Sequence, residues 1–197
     1  MLSEAIHLYE KLPLMETGLV MGVILLLLHL PALLKPQQTL LLLGKAHRAE
    51  RAGVILLGID FIWVALLLFK ASWNPLCMPL FEFEPVRGIL LVLCPVIWFI
   101  LSTMAKPNLL PRALGMFLLL MAIVPMSAAF LKDPVTRILI PLWWYPVLTV
   151  AMFWVAKPYL FRDWAAWLQG RTRLMRGIGV FGVAYGTLLM LCALLFW

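Results

Sequence analysis

The sequence predicts an all-α, multi-pass membrane protein. It has six transmembrane helices, arranged as three parallel-repeat helical hairpins, plus an interfacial amphipathic helix. Three observations carry this. First, 64% of the 197 residues are hydrophobic and 13% are charged, with a mean hydropathy of +1.02. Soluble domains hold about 45–50% apolar and about 25% charged residues, so lipid must solvate most of this surface. Second, the apolar residues gather into six runs, each long enough to cross a hydrocarbon core of about 30 Å. Third, one pattern of run endings and beginnings returns three times. Leu34-Lys35-Pro36 leads to Arg51-Ala52-Gly53, Ala105-Lys106-Pro107 to Arg112-Ala113-Leu114-Gly115, and Ala156-Lys157-Pro158 to Arg176-Gly177-Ile178-Gly179.

Residues 1–16 read as an outer leader. They hold three Glu and one Lys, the wrong balance for the n-region of a secretory signal. Ile6, Leu8, Leu12 and Leu14 among polar residues suit the membrane surface, with His7 solvated there.

Hairpin 1 covers 17–71. Its first span, about 17–34, carries Gly18 and Gly22, a small-xxx-small face that lets a neighbouring helix come close. His29 lies in the inner third of the run, where a polar side chain normally points into the bundle. In the loop that follows, Gln37 to Leu43 suit the interface, and Lys45, His47, Arg48 and Arg51 form a basic edge. The second span, about 53–69, carries Asp60, the one acid clearly inside an apolar run. An Asp at that depth costs about 3 kcal/mol on insertion scales.

The next loop holds Trp73, Asn74, Pro75, Pro79 and Pro85, and alternates aromatic and acid over Phe81, Glu82, Phe83 and Glu84. With Arg87 and Asp133 these acids form an outer rim, either solvated or able to gather cations or dock a partner. Hairpin 2 covers 86–131. Its spans run over about 87–104, with a kink expected at Pro95, and about 113–131, with Pro125 in the second half. Lys132-Asp133-Pro134 is a tight outer turn.

Hairpin 3 covers 136–197. Its first span, about 136–156, carries Pro141 and Pro146 around Trp143-Trp144-Tyr145, and two prolines are expected to break the hydrogen-bond ladder twice. Over about 159–169, Leu160, Phe161, Trp164, Trp167 and Leu168 recur at helical spacing with Arg162, Asp163 and Gln169 between them. That pattern predicts an amphipathic helix with its apolar face in the membrane. The last span, about 177–196, places Gly179, Gly182 and Gly186 on one side, and Trp197 suits an interface.

The repeat explains these placements. Lys35, Lys106 and Lys157 can snorkel while the following Pro ends the helix. Arg51, Arg112 and Arg176 anchor the next helix at the headgroups, as Trp164 and Trp167 anchor the surface helix. The bland alternative is that such residues recur at membrane edges by chance. The three Lys-Pro loops and their flanks hold eleven Lys and Arg, and the remaining chain five. The positive-inside rule then places these loops in the cytoplasm and both termini outside a bacterial-type inner membrane.

Charge placement also bears on partners. A net charge of +7 is compatible with nucleic acid, but the cations sit at the ends of apolar runs, so membrane lipids are the expected partner and nucleic acid is not. The sequence has no HExxH, CxxC, GxSxG or Walker A pattern, and no acid pair at i, i+4 within a span. Cys77, Cys94 and Cys192 lack metal-ligand spacing and read as small fillers. No metal and no catalytic residue is expected.

Three features stay open. His29 is a candidate pigment or haem ligand, against a hydrogen-bonded structural histidine. Asp60 is a candidate proton relay or cation site, with His29 or Tyr185 as partner, against an acid paired with Arg48 or Arg51. Trp143, Trp144 and Tyr145 could stack on a quinone or simply pack. Two functions follow. One is a non-catalytic accessory or scaffold subunit, bound to other membrane protein subunits and lipid. The other is a small transporter or channel for protons, a small solute or lipid, using Asp60.

Overall fold

The computed structural model describes residues 8–46, 48–71, 74–104 and 108–197. His7, His47, Trp73 and the second Lys-Pro, with its anchor Lys106, lie outside the described residues. Eight α-helices follow in order: α1 (Leu14–Leu34), α2 (Pro36–Ala46), α3 (Glu50–Leu68), α4 (Arg87–Met104), α5 (Leu109–Ala129), α6 (Leu139–Ala156), α7 (Tyr159–Leu168) and α8 (Thr172–Leu195). Short 3-10 turns at Leu8–Lys11, Phe81–Val86 and Val135–Ile138 precede α1, α4 and α6. Six helices, namely α1, α3, α4, α5, α6 and α8, are long and apolar enough to span a membrane. The protein is a multi-pass, all-helical membrane protein.

Several spans start earlier than the apolar runs do. Arg51 and Arg112 lie inside the first turns of α3 and α5, and Arg176 just past the first turn of α8, rather than ahead of these helices. Arg is a good helix former, so nothing in these residues stops the helix at the membrane edge. The prolines also act differently from expectation. Pro146 lies inside α6, but Pro141 sits in the first turn, where backbone N–H groups have no intrahelical partner. The ladder of α6 is therefore interrupted once, not twice.

Packing joins spans from different predicted hairpins. α1 runs antiparallel to α8 along a seam of small residues. Gly22 and Gly186 face each other, and a Cβ on Gly186 would lie 2.9 Å from the Gly22 carbonyl oxygen. A Cβ on Gly179 would come within 2.6 Å of the Leu33 backbone nitrogen, and one on Gly182 would fall on the His29 ring. Between lipid-solvated helices there is no hydrophobic drive, so this close approach is what supplies the contact energy. α5 lies between α3 and α6. Gly53 of α3 abuts the backbone of Leu109 and Leu110, and Gly115 of α5 abuts the Ala151 carbonyl of α6. Leu14, Met21, Leu25, Ala122, Ile140, Trp144 and Leu189 form the main core where α1, α5, α6 and α8 meet. Trp197, expected at an interface, packs over Gly18 and donates from Nε1 to Thr136 Oγ1 at 2.7 Å.

The first and third Lys-Pro ends turn in the same way. Lys35 (φ −131°, ψ 59°) and Lys157 (φ −131°, ψ 73°) end their helices with nearly the same backbone, each donating its N–H four residues back. The chain then enters a short helix in both places, α2 and α7, and these two pack on each other through Leu40 and Leu168. Gln169 Nε2 donates to the Leu40 carbonyl at 2.7 Å. Gly170 stops α7 with a left-handed φ of 79°, which glycine adopts without penalty. The face that α7 buries is Phe161, Ala165 and Leu168 against protein, while Trp164 and Trp167 stay exposed. The predicted single apolar face is thus divided between protein and exterior.

Candidate functional site

The residues singled out from sequence fall into three places. His29 and Tyr185 meet on Trp143, where α1, α6 and α8 come together. The His29 ring stands edge-on to Trp143 at 5.7 Å, and Tyr185 lies 5.0 Å from the same ring. Phe181 stacks on Trp143 and also lies against Tyr185, 6.0 Å from each. His29 Nδ1 is 2.9 Å from the Leu25 carbonyl. A carbonyl only accepts, so Nδ1 carries the hydrogen and Nε2 is the nitrogen left for a ligand. Tyr185 Oη donates to the Leu139 carbonyl at 2.6 Å. His29 Nδ1 and Tyr185 Oη thus each bond a backbone carbonyl within the bundle.

Asp60 lies elsewhere, on the same face of α3 as Gly53 and Leu57, the face that packs on α5. It is 0% exposed. Neither carboxylate oxygen has a hydrogen-bond partner among the described residues, so His29, Tyr185, Arg48 and Arg51 do not bond it. Buried polar groups are nearly always paired, and an unpaired one in a span calls for an explanation. One turn further along, Trp63 Nε1 donates to Tyr9 Oη at 2.9 Å, which ties the 3-10 turn before α1 to α3.

The third place is the α3–α4 loop, and here sequence reasoning missed the organising residues. The last carbonyls of α3 have no partner within the helix. Asn74 Nδ2 takes those of Leu66 and Phe69, both at 2.7 Å. The Met78 N–H takes that of Leu67 at 2.8 Å, and Arg87 Nη1 takes that of Leu68 at 2.7 Å. Arg87 Nη2 also donates to the Met78 carbonyl and to Glu84 Oε2, each at 2.7 Å, while Nη1 reaches Cys77 Sγ at 3.1 Å. Lys70 pairs with the other oxygen of Glu84 at 3.0 Å. Glu84 is therefore committed to the knot and not free to collect cations. The signal was present: an Asn set among prolines just past an apolar run is a helix-end cap.

The membrane-edge residues sit as follows. Lys35, Arg51, Lys157 and Arg176 are exposed, and Arg112 is half-buried at the start of α5. Trp167 is exposed beneath Arg171, whose guanidinium carbon lies 4.2 Å above the ring. Trp164 meets Trp154 and Phe161 at 6.1 and 6.2 Å. Among the described residues, no group of three or more His, Cys, Asp or Glu could hold a metal ion. No family model, curated protein or solved structure matches the chain.

Proposed function

We propose that the protein is a non-catalytic accessory or scaffold subunit of a larger complex in a bacterial-type inner membrane, and that α4 is the helix that meets the other membrane subunits. The one-sided packing of α4 carries this reading. Around α4 only 11% of residues are buried, the lowest share of the six spans, against 17% for α6, 28% for α1 and α3 and 33% for α5 and α8. Arg87 and Cys94 are its buried residues, and Val92, Val96, Phe99 and Ile100 are exposed. A whole span is thus presented along most of its circumference, with its packing confined to the side that meets α3. The complete burial of Asp60 also favours a scaffold over a conduit, because no solute reaches it in this conformation. The charge asymmetry supports cytoplasmic Lys-Pro loops and outer termini. The matched Lys35 and Lys157 turns support common descent for the first and third hairpins.

A photo-crosslinking residue at Val96 or Phe99, followed by gentle extraction from native membranes and mass spectrometry, tests the reading. A crosslink to one defined membrane protein is expected. A lone monomer crosslinked only to lipid, with an activity of its own, would sink it.

The unpartnered Asp60 favours a second reading, a small transporter or channel for protons or a small solute. Lining by Asp60 would require α3 and α5 to part. Asp60→Asn keeps the shape and removes the charge. It should abolish flux in reconstituted vesicles without altering the unfolding profile, and intact flux in that variant ends the idea.

A further inference from the structure

We propose that α2 and α7, with the helix starts beside them, form a docking platform for anionic phospholipid headgroups. The proposal rests on the membrane-spanning fold alone and not on the subunit role. The charge census points there first. Residues 35–51 and 157–176 hold nine Lys and Arg against two acids, while the rest of the chain holds seven of each. The entire net charge of +7 therefore resides in two loops far apart in sequence, and the contact of Leu40 with Leu168 brings those loops together.

The side chains around this contact have the character of a headgroup layer. Leu41, Leu42, Trp164 and Trp167 are exposed on the two short helices, Leu42 to 70%. Lys45, Arg162, Arg171 and Arg173 are exposed among or beside them. Exposed Leu and Trp interleaved with cations fit the boundary between acyl chains and phosphate, where Trp stems and Arg heads each find their solvent. The stacking of Arg171 on Trp167 holds one such guanidinium in place.

The helix starts add an independent argument. The N-cap positions of α3 and α8 are Ala49 and Arg171, and neither supplies a side-chain cap. The first turn of α3 sets Glu50 beside Arg51, but that of α8 carries Arg173 and no acid, with Arg176 just beyond, at the positive end of the helix dipole where cations are disfavoured. At α8 an external phosphate would accept from the first-turn N–H groups and neutralise the arginines together. Water could solvate the N–H groups, but it would leave the cations against the dipole. A lipid phosphate, fixed at this depth in the membrane, answers both.

The test uses the full chain in phosphatidylcholine vesicles containing trace spin-labelled phosphatidylglycerol or spin-labelled phosphatidylcholine, reading the motionally restricted fraction of each. At low ionic strength the wild type should prefer the anionic probe about threefold or more. The preference should fall toward unity in 0.5 M NaCl, as about 1 M salt cuts the screening length to near 3 Å. R171Q/R173Q/R176Q should abolish most of it. K11Q/K132Q/R137Q, which removes three cations outside the platform, should not. If the triple platform variant fails to insert, R173Q alone with the salt series gives the reading, with a partial loss expected. Equal affinity for the two probes in the wild type overturns the proposal, as does full preference in the platform variant or its loss in the control. Loss of preference to inorganic phosphate, but not to chloride at equal ionic strength, identifies a soluble anion instead and also overturns it.

Discussion

The α1–α8 seam and the α3–α4 corner solve one problem in opposite ways. Both must hold two spans together where burial of apolar surface gains nothing, since lipid is as apolar as leucine. The seam does it by shape along the whole length, with Gly22, Gly179, Gly182 and Gly186 removing every side chain that would keep the backbones apart. The α3–α4 pair has no such row. Gly58 faces Trp98 Nε1 with a Cβ gap of 3.5 Å, an ordinary contact. That pair is instead secured at its loop end by Arg87 and Asn74, which satisfy the carbonyls that α3 leaves open. Shape gives a rigid seam, whereas a knot at one end leaves the rest of α4 available.

If this contrast is right, the corner should fail at a single residue. Arg87 is 7% exposed and bonds two carbonyls, a thiol and Glu84. Arg87→Met leaves the Leu68 carbonyl unpaired, the Met78 carbonyl with only the Cys77 thiol at 3.9 Å, and Glu84 with Lys70 only. A buried carbonyl left without its donor costs about 1–3 kcal/mol. The loss should be confined to the α3–α4 loop. Maleimide labelling of Cys77 should accelerate at least about tenfold, a conservative reading of that cost as local opening, while SDS-induced unfolding of the remaining bundle shifts little. Unchanged labelling would mean the knot does not hold the corner.

The seam should fail by degrees, according to what a new methyl group meets. Gly179→Ala places a Cβ 2.6 Å from the Leu33 nitrogen, and backbone cannot swing aside. The helices must separate locally, at a cost of about 2–3 kcal/mol. Gly182→Ala meets the His29 imidazole, a side chain that can rotate, although its bond to the Leu25 carbonyl is then lost. About 1 kcal/mol is expected there. SDS titration of the two variants in mixed micelles should rank them in that order. The reverse ranking would show that the seam yields along its backbone, and rigidity by shape would be the wrong description.

These residues also show what a sequence can and cannot disclose. Six spans were legible because a run of apolar residues has one solution in lipid, and the glycine rows were legible because small residues at a spacing of four have few other uses. The partner of each row was not. Gly18 and Gly22 could have faced any span, and only the fold pairs them with α8 rather than with the next helix in the chain. Asp60 was legible as an anomaly, since its cost does not depend on neighbours, but its lack of a donor depends on every helix around it. Arg87 read as a rim charge because its work is done on carbonyls, which every residue has and no sequence pattern marks. The short helix α2 was half-seen for a related reason. Its Pro36 start and Leu40 contact matter only once α7 lies beside it.

The smallest effect expected is at the third span that touches the seam. Tyr185 of α8 donates to Leu139 of α6 at 2.6 Å, a short bond by the usual measure. Short geometry alone suggests a large contribution. Yet hydrogen bonds between membrane helices average about 0.6 kcal/mol in double-mutant cycles, because the separated helices find other partners. The phenyl ring would keep its place against Trp143 and Phe181 after Tyr185→Phe, so no cavity offsets this figure. The variant should therefore lose only about 0.6 kcal/mol in SDS unfolding. A loss above about 2 kcal/mol would mean that α6 is held to α8 by polar bonding, as α4 is to α3. The contrast between a seam closed by shape and a corner closed by hydrogen bonds would then stop at the glycines.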